Sequence, residues 1–287
     1  MKHARQRKTM LGSWIVMIAS ILVSAAAGAD GALLRTNFQS FTTGSYGGYA
    51  GIWYLNLDPT LGLGRNAIED VDYTSNLVVY PSSFPNNTTV RWRVPNRPPT
   101  KAGVYGYLLL HYGNYQQSSV QSAITPRPLT GITDLTTQTA FTYSGQYNRH
   151  DEAGILHEMW LTSEARGNGQ SVDEYAKFEL GCFLRTARTT VAYMNRSTQV
   201  GTYHDGIREW TIAVDYTLQV PFIMLRPTDR ADVVGEVMWV GIFRYLMQKG
   251  ILTGGEFFNG LAVGVEPRQG QGSVTFDRFE VRYAGAP

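Results

Sequence analysis

The chain of 287 residues reads as an all-β protein, a sandwich or jelly roll of short strands carrying one helix. Three observations predict this. Aromatics make up 12% of the residues, and Tyr, Thr and Val crowd the middle of the chain, the residue types that suit a pleated, half-buried surface. Short apolar runs follow one another closely, separated by turn residues. One stretch, Thr228 to Gly250, has helical periodicity instead. With 43% hydrophobic and 17% charged residues the chain can bury a large core. No long linker and no repeat divides it, so residues 30–287 are expected to form a single domain.

Residues 1–29 stand apart. Lys2, Arg5, Arg7 and Lys8 precede a mostly apolar run from Met10 to Ala25, and Ala27-Gly28-Ala29 has the small-x-small pattern of a signal-peptide cleavage site. The apolar run is shorter than the roughly 20 residues of a spanning helix, so export with cleavage before Asp30 is expected, giving a secreted, extracellular or periplasmic protein without a membrane anchor. Removing the four basic residues leaves 21 Lys and Arg against 23 Asp and Glu, a net charge of −2 in place of +2. That balance argues against a nucleic-acid partner. Cys182 is the single cysteine, so no intramolecular disulfide can form, and its apolar neighbours read it as a buried small hydrophobe. Asn86, Asn87 and Asn195 are formal glycosylation acceptors.

Strands are expected at Ser75 to Tyr80, Thr89 to Val94, Gly103 to His111, Thr139 to Ser144, Ile155 to Thr162 and Tyr175 to Leu184. They continue at Thr189 to Met194, Thr198 to His204, Glu209 to Tyr216, Val220 to Leu225, Phe258 to Glu266 and Ser273 to Tyr283. Asn86-Asn87 reads as a turn, and Arg91 to Pro99, with three prolines, reads as a loop. Between Thr228 and Gly250, Val233, Val234, Val237, Met238, Ile242, Tyr245 and Leu246 recur at helical spacing. Thr228 or Asp229 can cap the start and Gly250 the end, which predicts one amphipathic helix packed on the outside of a sheet.

Two isolated glutamates sit inside apolar strands: Glu179 in Phe178-Glu-Leu-Gly-Cys-Phe-Leu184 and Glu266 in Leu261-Ala-Val-Gly-Val-Glu-Pro267. A charge in such a strand is costly unless one face opens on water or a ligand. Alternation places Phe178, Leu180, Cys182 and Leu184 in the core and Glu179, Gly181 and Phe183 on the other face. Likewise Leu261, Val263 and Val265 face the core, while Ala262, Gly264 and Glu266 face away, the small residues leaving room for a ligand. In Leu156-His-Glu-Met-Trp160, Glu158 shares a face with Leu156 and Trp160 and adds a third carboxylate to the same wall. Paired carboxylates across a sugar ring are the machinery of glycoside hydrolysis. His157 is expected to face the core or pair locally.

These runs resemble glycoside hydrolase family 12, secreted endoglucanases and xyloglucanases with a concanavalin A-like jelly roll. The family's nucleophile strand, roughly Tyr-Glu-Ile-Met-Ile-Trp-Leu, is similar to Phe178 to Leu184, and its Phe-Gly-Thr-Glu-Pro-Phe is similar to Val263-Gly-Val-Glu-Pro-Arg268. Its Ala-Tyr-Asp-Leu-Trp resembles Leu156 to Trp160, with Glu158 in place of Asp. The likeness covers roughly Trp92 to Tyr283. It implies two antiparallel sheets, a β-glucan as partner, a monomer, no cofactor and no metal. It also implies Glu179 as nucleophile, Glu266 as acid/base and Glu158 as support for Glu179, in a retaining endo-β-1,4-glucanase with its two carboxyls about 5–5.5 Å apart. Glu179 would stay ionised while the repulsion between close charges keeps Glu266 neutral. Phe183, Trp160, Trp53 and Arg268 are the candidate substrate contacts. The chain departs from the family at Gly181, Phe183 and Arg268, and the family's Asn-Asn-x-Trp-Gly segment is missing, so a reshaped cleft is expected. A carbohydrate-binding sandwich without chemistry and a secreted polysaccharide lyase are the alternatives.

Overall fold

Alternating side chains give each strand one face for a shared core, and two sheets meet on those faces. The computed structural model describes residues 31–52, 68–99, 103–115, 124–146, 152–167 and 170–285; residues 1–29, where a signal peptide is expected, and Trp53 lie outside them. In chain order the strands are β1 (Leu33–Arg35), β2 (Ser40–Thr43), β3 (Tyr46–Ile52), β4 (Thr74–Val79), β5 (Thr88–Arg93), β6 (Gly106–Gly113), β7 (Arg127–Pro128), β8 (Ile132–Gly145) and β9 (Ala153–Thr162). They continue as β10 (Ala176–Arg185), β11 (Thr198–His204), β12 (Glu209–Asp215), β13 (Phe222–Pro227), β14 (Gly235–Met238), β15 (Phe257–Phe258), β16 (Gly260–Pro267) and β17 (Gln271–Gly285), with helices α1 (Arg188–Arg196) and α2 (Trp239–Gln248). The six-stranded sheet has the order β1-β4-β5-β17-β8-β14. The larger sheet has the order β11-β12-β13-β10-β9-β16-β6-β3-β2, with β7 and β15 attached at its margin.

The core lies between the sheets. Leu180, Cys182, Leu184, Val263 and Val265 of the larger sheet pack with Val90, Trp92, Val274, Phe276 and Phe279 of the smaller one, the faces the alternation predicts. His157 is buried there; its Nδ1–H donates to the Ala262 carbonyl at 3.4 Å, which leaves Nε2 to accept from Thr139 at 3.1 Å. All pairings named between neighbouring strands are antiparallel except β10 with β13, where Glu179 lies beside Phe222 in a parallel ladder. Parallel neighbours need a crossover connection. Here α1, β11 and β12 supply it, since they separate β10 from β13 in the chain.

Three expectations are corrected. The strand expected at Thr189 to Met194 is instead α1, so the described residues hold two α-helices where one was expected. Its buried residues Thr190, Val191 and Met194 fall on one helical stripe, which outweighs the strand preference of Thr189, Thr190 and Val191. The second helix begins ten residues later than its expected cap. Gly235 has φ +112°, where only glycine is comfortable, and Gly235 to Met238 pair with β8 before α2 can begin. Its end follows the expectation. Gly250, at φ +70°, donates to Met247 O, and Ile251 donates to Leu246 O, the paired bonds of a Schellman motif. Nor does α2 lie outside a sheet: Trp239 bonds Thr137 and packs edge-on to His157, while Tyr245 packs on Tyr203 of β11. It closes the sandwich where β14 ends one sheet and β11 the other.

Candidate active site

Strand registry decides which side chains meet on the outward face of the larger sheet. Glu158 of β9 lies opposite Gly181 of β10 on one side and Ala262 of β16 on the other. Glu179 lies opposite Trp160, and Glu266 opposite Gly154, so the three expected carboxylates occupy three neighbouring strands and one face. Glu158 and Glu179 feel each other's charge, as do Glu179 and Glu266.

Each carboxylate has a different environment. Glu158 is buried, and its Oε1 accepts a hydrogen bond from the Tyr115 hydroxyl at 2.6 Å. Burial first and the negative charge of Glu179 second hold its carboxyl well above the usual range, so Glu158 keeps a proton. For Glu179, burial and then the charge of Glu266 push the carboxyl up to about 7. Burial also raises Glu266, but the Arg268 guanidinium, 3.4 Å from its Oε2, opposes the rise by favouring the anion.

Arg268 does not present itself to a substrate as expected. It is 8% exposed; Nη1 donates to Gly103 O at 3.0 Å and Nη2 to Thr190 Oγ1 at 2.9 Å, and the remaining reach is spent on Glu266. Phe183 is likewise 2% exposed, packed in the apolar floor, so it offers no platform for a sugar. Trp160 is half-buried on the outward face in register with Glu179 and keeps its candidacy. The small residues do not leave the space expected of them. A Cβ on Gly181 would meet the Phe222 ring at 2.8 Å, and one on Gly264 would meet Tyr107 at 2.6 Å, so these glycines admit aromatic rings to the floor.

Tyr115 escapes sequence reasoning because it follows the last residues of β6, where period-two alternation no longer assigns a direction. Asn114 holds that turn by donating to the carbonyls of Arg166, Gly167 and Gln170. Tyr193 and Asp215, hydrogen-bonded to each other on the same face, and Thr190 were also missed, because α1 was expected as a strand. Among the described residues no group of three or more His, Cys, Asp or Glu could hold a metal ion, and no helix is long and apolar enough to cross a membrane.

No protein-family model and no curated protein matches the chain. Solved structures do. The native family 12 xyloglucanase from Bacillus licheniformis matches with a TM-score of 0.64 and 13% identity, over 88% of this chain and 100% of that one. The family 12 endoglucanase 3 of Trichoderma harzianum matches with a TM-score of 0.66 and 14% identity, over 91% and 100%. Endoglucanase Cel12A from Rhodothermus marinus matches with a TM-score of 0.61 and 12% identity, over 88% and 100%. The chain therefore has the jelly-roll fold of the family 12 glycoside hydrolases.

Proposed function

We propose that the protein is a secreted glycoside hydrolase that cleaves a β-1,4-linked glucan with retention at the anomeric carbon. The observation that carries this is the placement of Glu158, Glu179 and Glu266 on neighbouring strands and one outward face. Structures of the same fold include an endoglucanase and a xyloglucanase, which supports a cellulose-like, mixed-linkage or xyloglucan substrate. Glu179 attacks the anomeric carbon and displaces the leaving oxygen, which takes a proton from Glu266; the same carboxylate then removes a proton from the water that releases the sugar from Glu179. Glu158, hydrogen-bonded by Tyr115, holds its own proton against Glu179 and steadies it without carrying a second negative charge.

One observation favours a second assignment. In the free protein burial raises both carboxyls, but Arg268 opposes the rise of Glu266 while Glu179 goes up to about 7, which suits Glu266 as nucleophile and Glu179 as acid. A slow 2-fluoro-glycoside that leaves its sugar on the enzyme, followed by peptide mass mapping, separates the two. The label is expected on Glu179; a label on Glu266 reverses the roles.

Activity itself is tested by reducing-sugar release from carboxymethylcellulose, barley β-glucan, xyloglucan and an acidic polysaccharide. Release from a neutral glucan is expected. Binding without release would make the protein a carbohydrate-binding sandwich, and an ultraviolet-absorbing unsaturated product would make it a lyase.

A further inference from the structure

The smaller sheet carries a depression of its own, on the side away from the larger sheet, and ladder registry builds it. Thr74, Arg93 and Gln271 lie abreast on β4, β5 and β17, and Arg91, Ser273 and Ser144 lie abreast on β5, β17 and β8. Both rows point outward, because Val90, Trp92 and Val274, which alternate with them, are buried in the core. The row between them sends nothing outward: Trp92 is 2% exposed with its ring in the core, and its neighbours Gly272 and Gly145 have no side chain. Two polar rows with a bare row between them make an open trough across the strands. A pocket of about 470 Å³ lies there, lined by both rows and by the row between them.

The charge of the trough is one-sided. Among the described residues no acid lines it, whereas Arg91 and Arg93, two apart on β5, stand on opposite walls with their Cα atoms about 7 Å apart. Nor, among the described residues, does either arginine pair with a carboxylate; Arg93 Nη2 donates to the backbone carbonyl of Asp70 at 2.8 Å. The chain from residue 30 onward has a net charge of −2, so this basic spot runs against the sign of the molecule. Around the guanidiniums stand hydroxyls and an amide, groups that both donate and accept, as sugar hydroxyls do. Trp92, the one aromatic among the described lining residues, turns its ring to the core, so a ligand here is held by charge and hydrogen bonds. We propose that the trough is a second, non-catalytic site that binds an acidic polysaccharide. Uronate carboxylates pair with Arg91 and Arg93, since a guanidinium matches a carboxylate with two parallel N–H···O bonds. The sugar hydroxyls bond Thr74, Ser144, Ser273 and Gln271. The site lies on the opposite sheet from Glu179 and Glu266, so it holds a polymer without occupying the carboxylate face and does not depend on the hydrolase reading.

The test measures binding to polygalacturonate, barley β-glucan and single-stranded poly(U) by gel retardation and calorimetry, for wild type and for the double variant Arg91→Gln/Arg93→Gln. Wild type is expected to bind polygalacturonate with an affinity that falls as salt rises, and the double variant to bind it at least about tenfold more weakly. Barley β-glucan binding, neutral-glucan hydrolysis and melting temperature should match between the two proteins, because neither arginine touches the carboxylate face. Should the double variant unfold early, Arg91→Gln alone, at an exposed position, is read with the same expectation of weaker polygalacturonate binding. No binding of polygalacturonate by wild type, or equal binding by wild type and variant, overturns the proposal. So does barley β-glucan or poly(U) bound as tightly as polygalacturonate through the same arginines, since the trough would then read a neutral glucan or any polyanion. A wild type that binds polygalacturonate through Arg91 and Arg93 but cleaves no glucan supports the second site while sinking the hydrolase assignment alone.

Discussion

Arg268 decides where the proton of the acidic face rests. Its guanidinium lies against Glu266 and makes the anion there less costly, and that anion adds to the burial that chiefly raises Glu179 to about 7. Arg268→Met removes the charge while keeping much of the side-chain volume, so Glu266 takes up a proton and stops opposing ionisation of Glu179. The expected result is a partial fall of the acidic limb of the kcat/KM profile from near pH 7, partial because the burial of Glu179 remains, and a fall because a nucleophile works only when ionised. The sign follows from the roles: were Glu179 the acid, wild-type activity would instead decline above about pH 7. Two further substitutions test the chemistry directly. Glu266→Gln keeps the packing and loses the proton donor, so turnover should drop roughly 10²–10⁴-fold with an unchanged circular dichroism spectrum. Glu179→Gln should abolish covalent labelling altogether. Near-normal turnover in either variant would remove that residue from the mechanism.

At the scale of elements, α1 is the piece that joins site and scaffold, since Met194 fills the apolar floor and Thr190 holds Arg268. Met194→Ala should cost about 2–5 kcal/mol in denaturant unfolding, the range for emptying a buried methionine site. A loss well below that would show that the helix rests on the sheet without packing into it. The strands that place the carboxylates were legible because β9, β10 and β16 alternate cleanly between core and outward face, as in Leu180, Cys182 and Leu184 against Glu179, Gly181 and Phe183. Helix α1 was not legible because its first residues, Thr189, Thr190 and Val191, favour strands, while the stripe that makes it helical matters only when the floor of another element is there to bury it. The same limit hid the burial of Arg268 and Phe183. Alternation says which face a residue takes, but what covers that face is a tertiary fact. At α2 the terminating Gly250 was legible from local chemistry, whereas the start was set by ladder bonds to β8, a partner far away in the chain.

Over the whole molecule the buried ionisable groups shape stability against pH. His111 and His157 are buried neutral, lowered by desolvation to about 4 and about 3 from an ordinary value of 6.5. As pH falls below 6.5 the unfolded chain binds protons there that the folded protein refuses, so stability declines on acidification. Glu179, at about 7, and Glu158, raised well above its ordinary 4.5, act in the opposite sense. Above pH 4.5 the unfolded chain has released protons that the folded site still holds, and stability declines as pH rises until those groups ionise. Between 4.5 and 6.5 the two histidines oppose these two carboxyls and Glu266, whose own rise Arg268 limits, which predicts a plateau in melting temperature over that interval with a fall on each side. The basic side of this curve belongs to the acidic face, and a double variant isolates it. Glu158→Gln with Glu179→Gln removes the groups that must ionise, so its melting temperature should hold above pH 7 while wild type declines, and the acidic fall should remain because the histidines are untouched. A parallel decline of both proteins above pH 7 would mean that the carboxylates are solvated in the folded state, and with that the low-polarity site on which the paired-carboxyl chemistry depends would be lost.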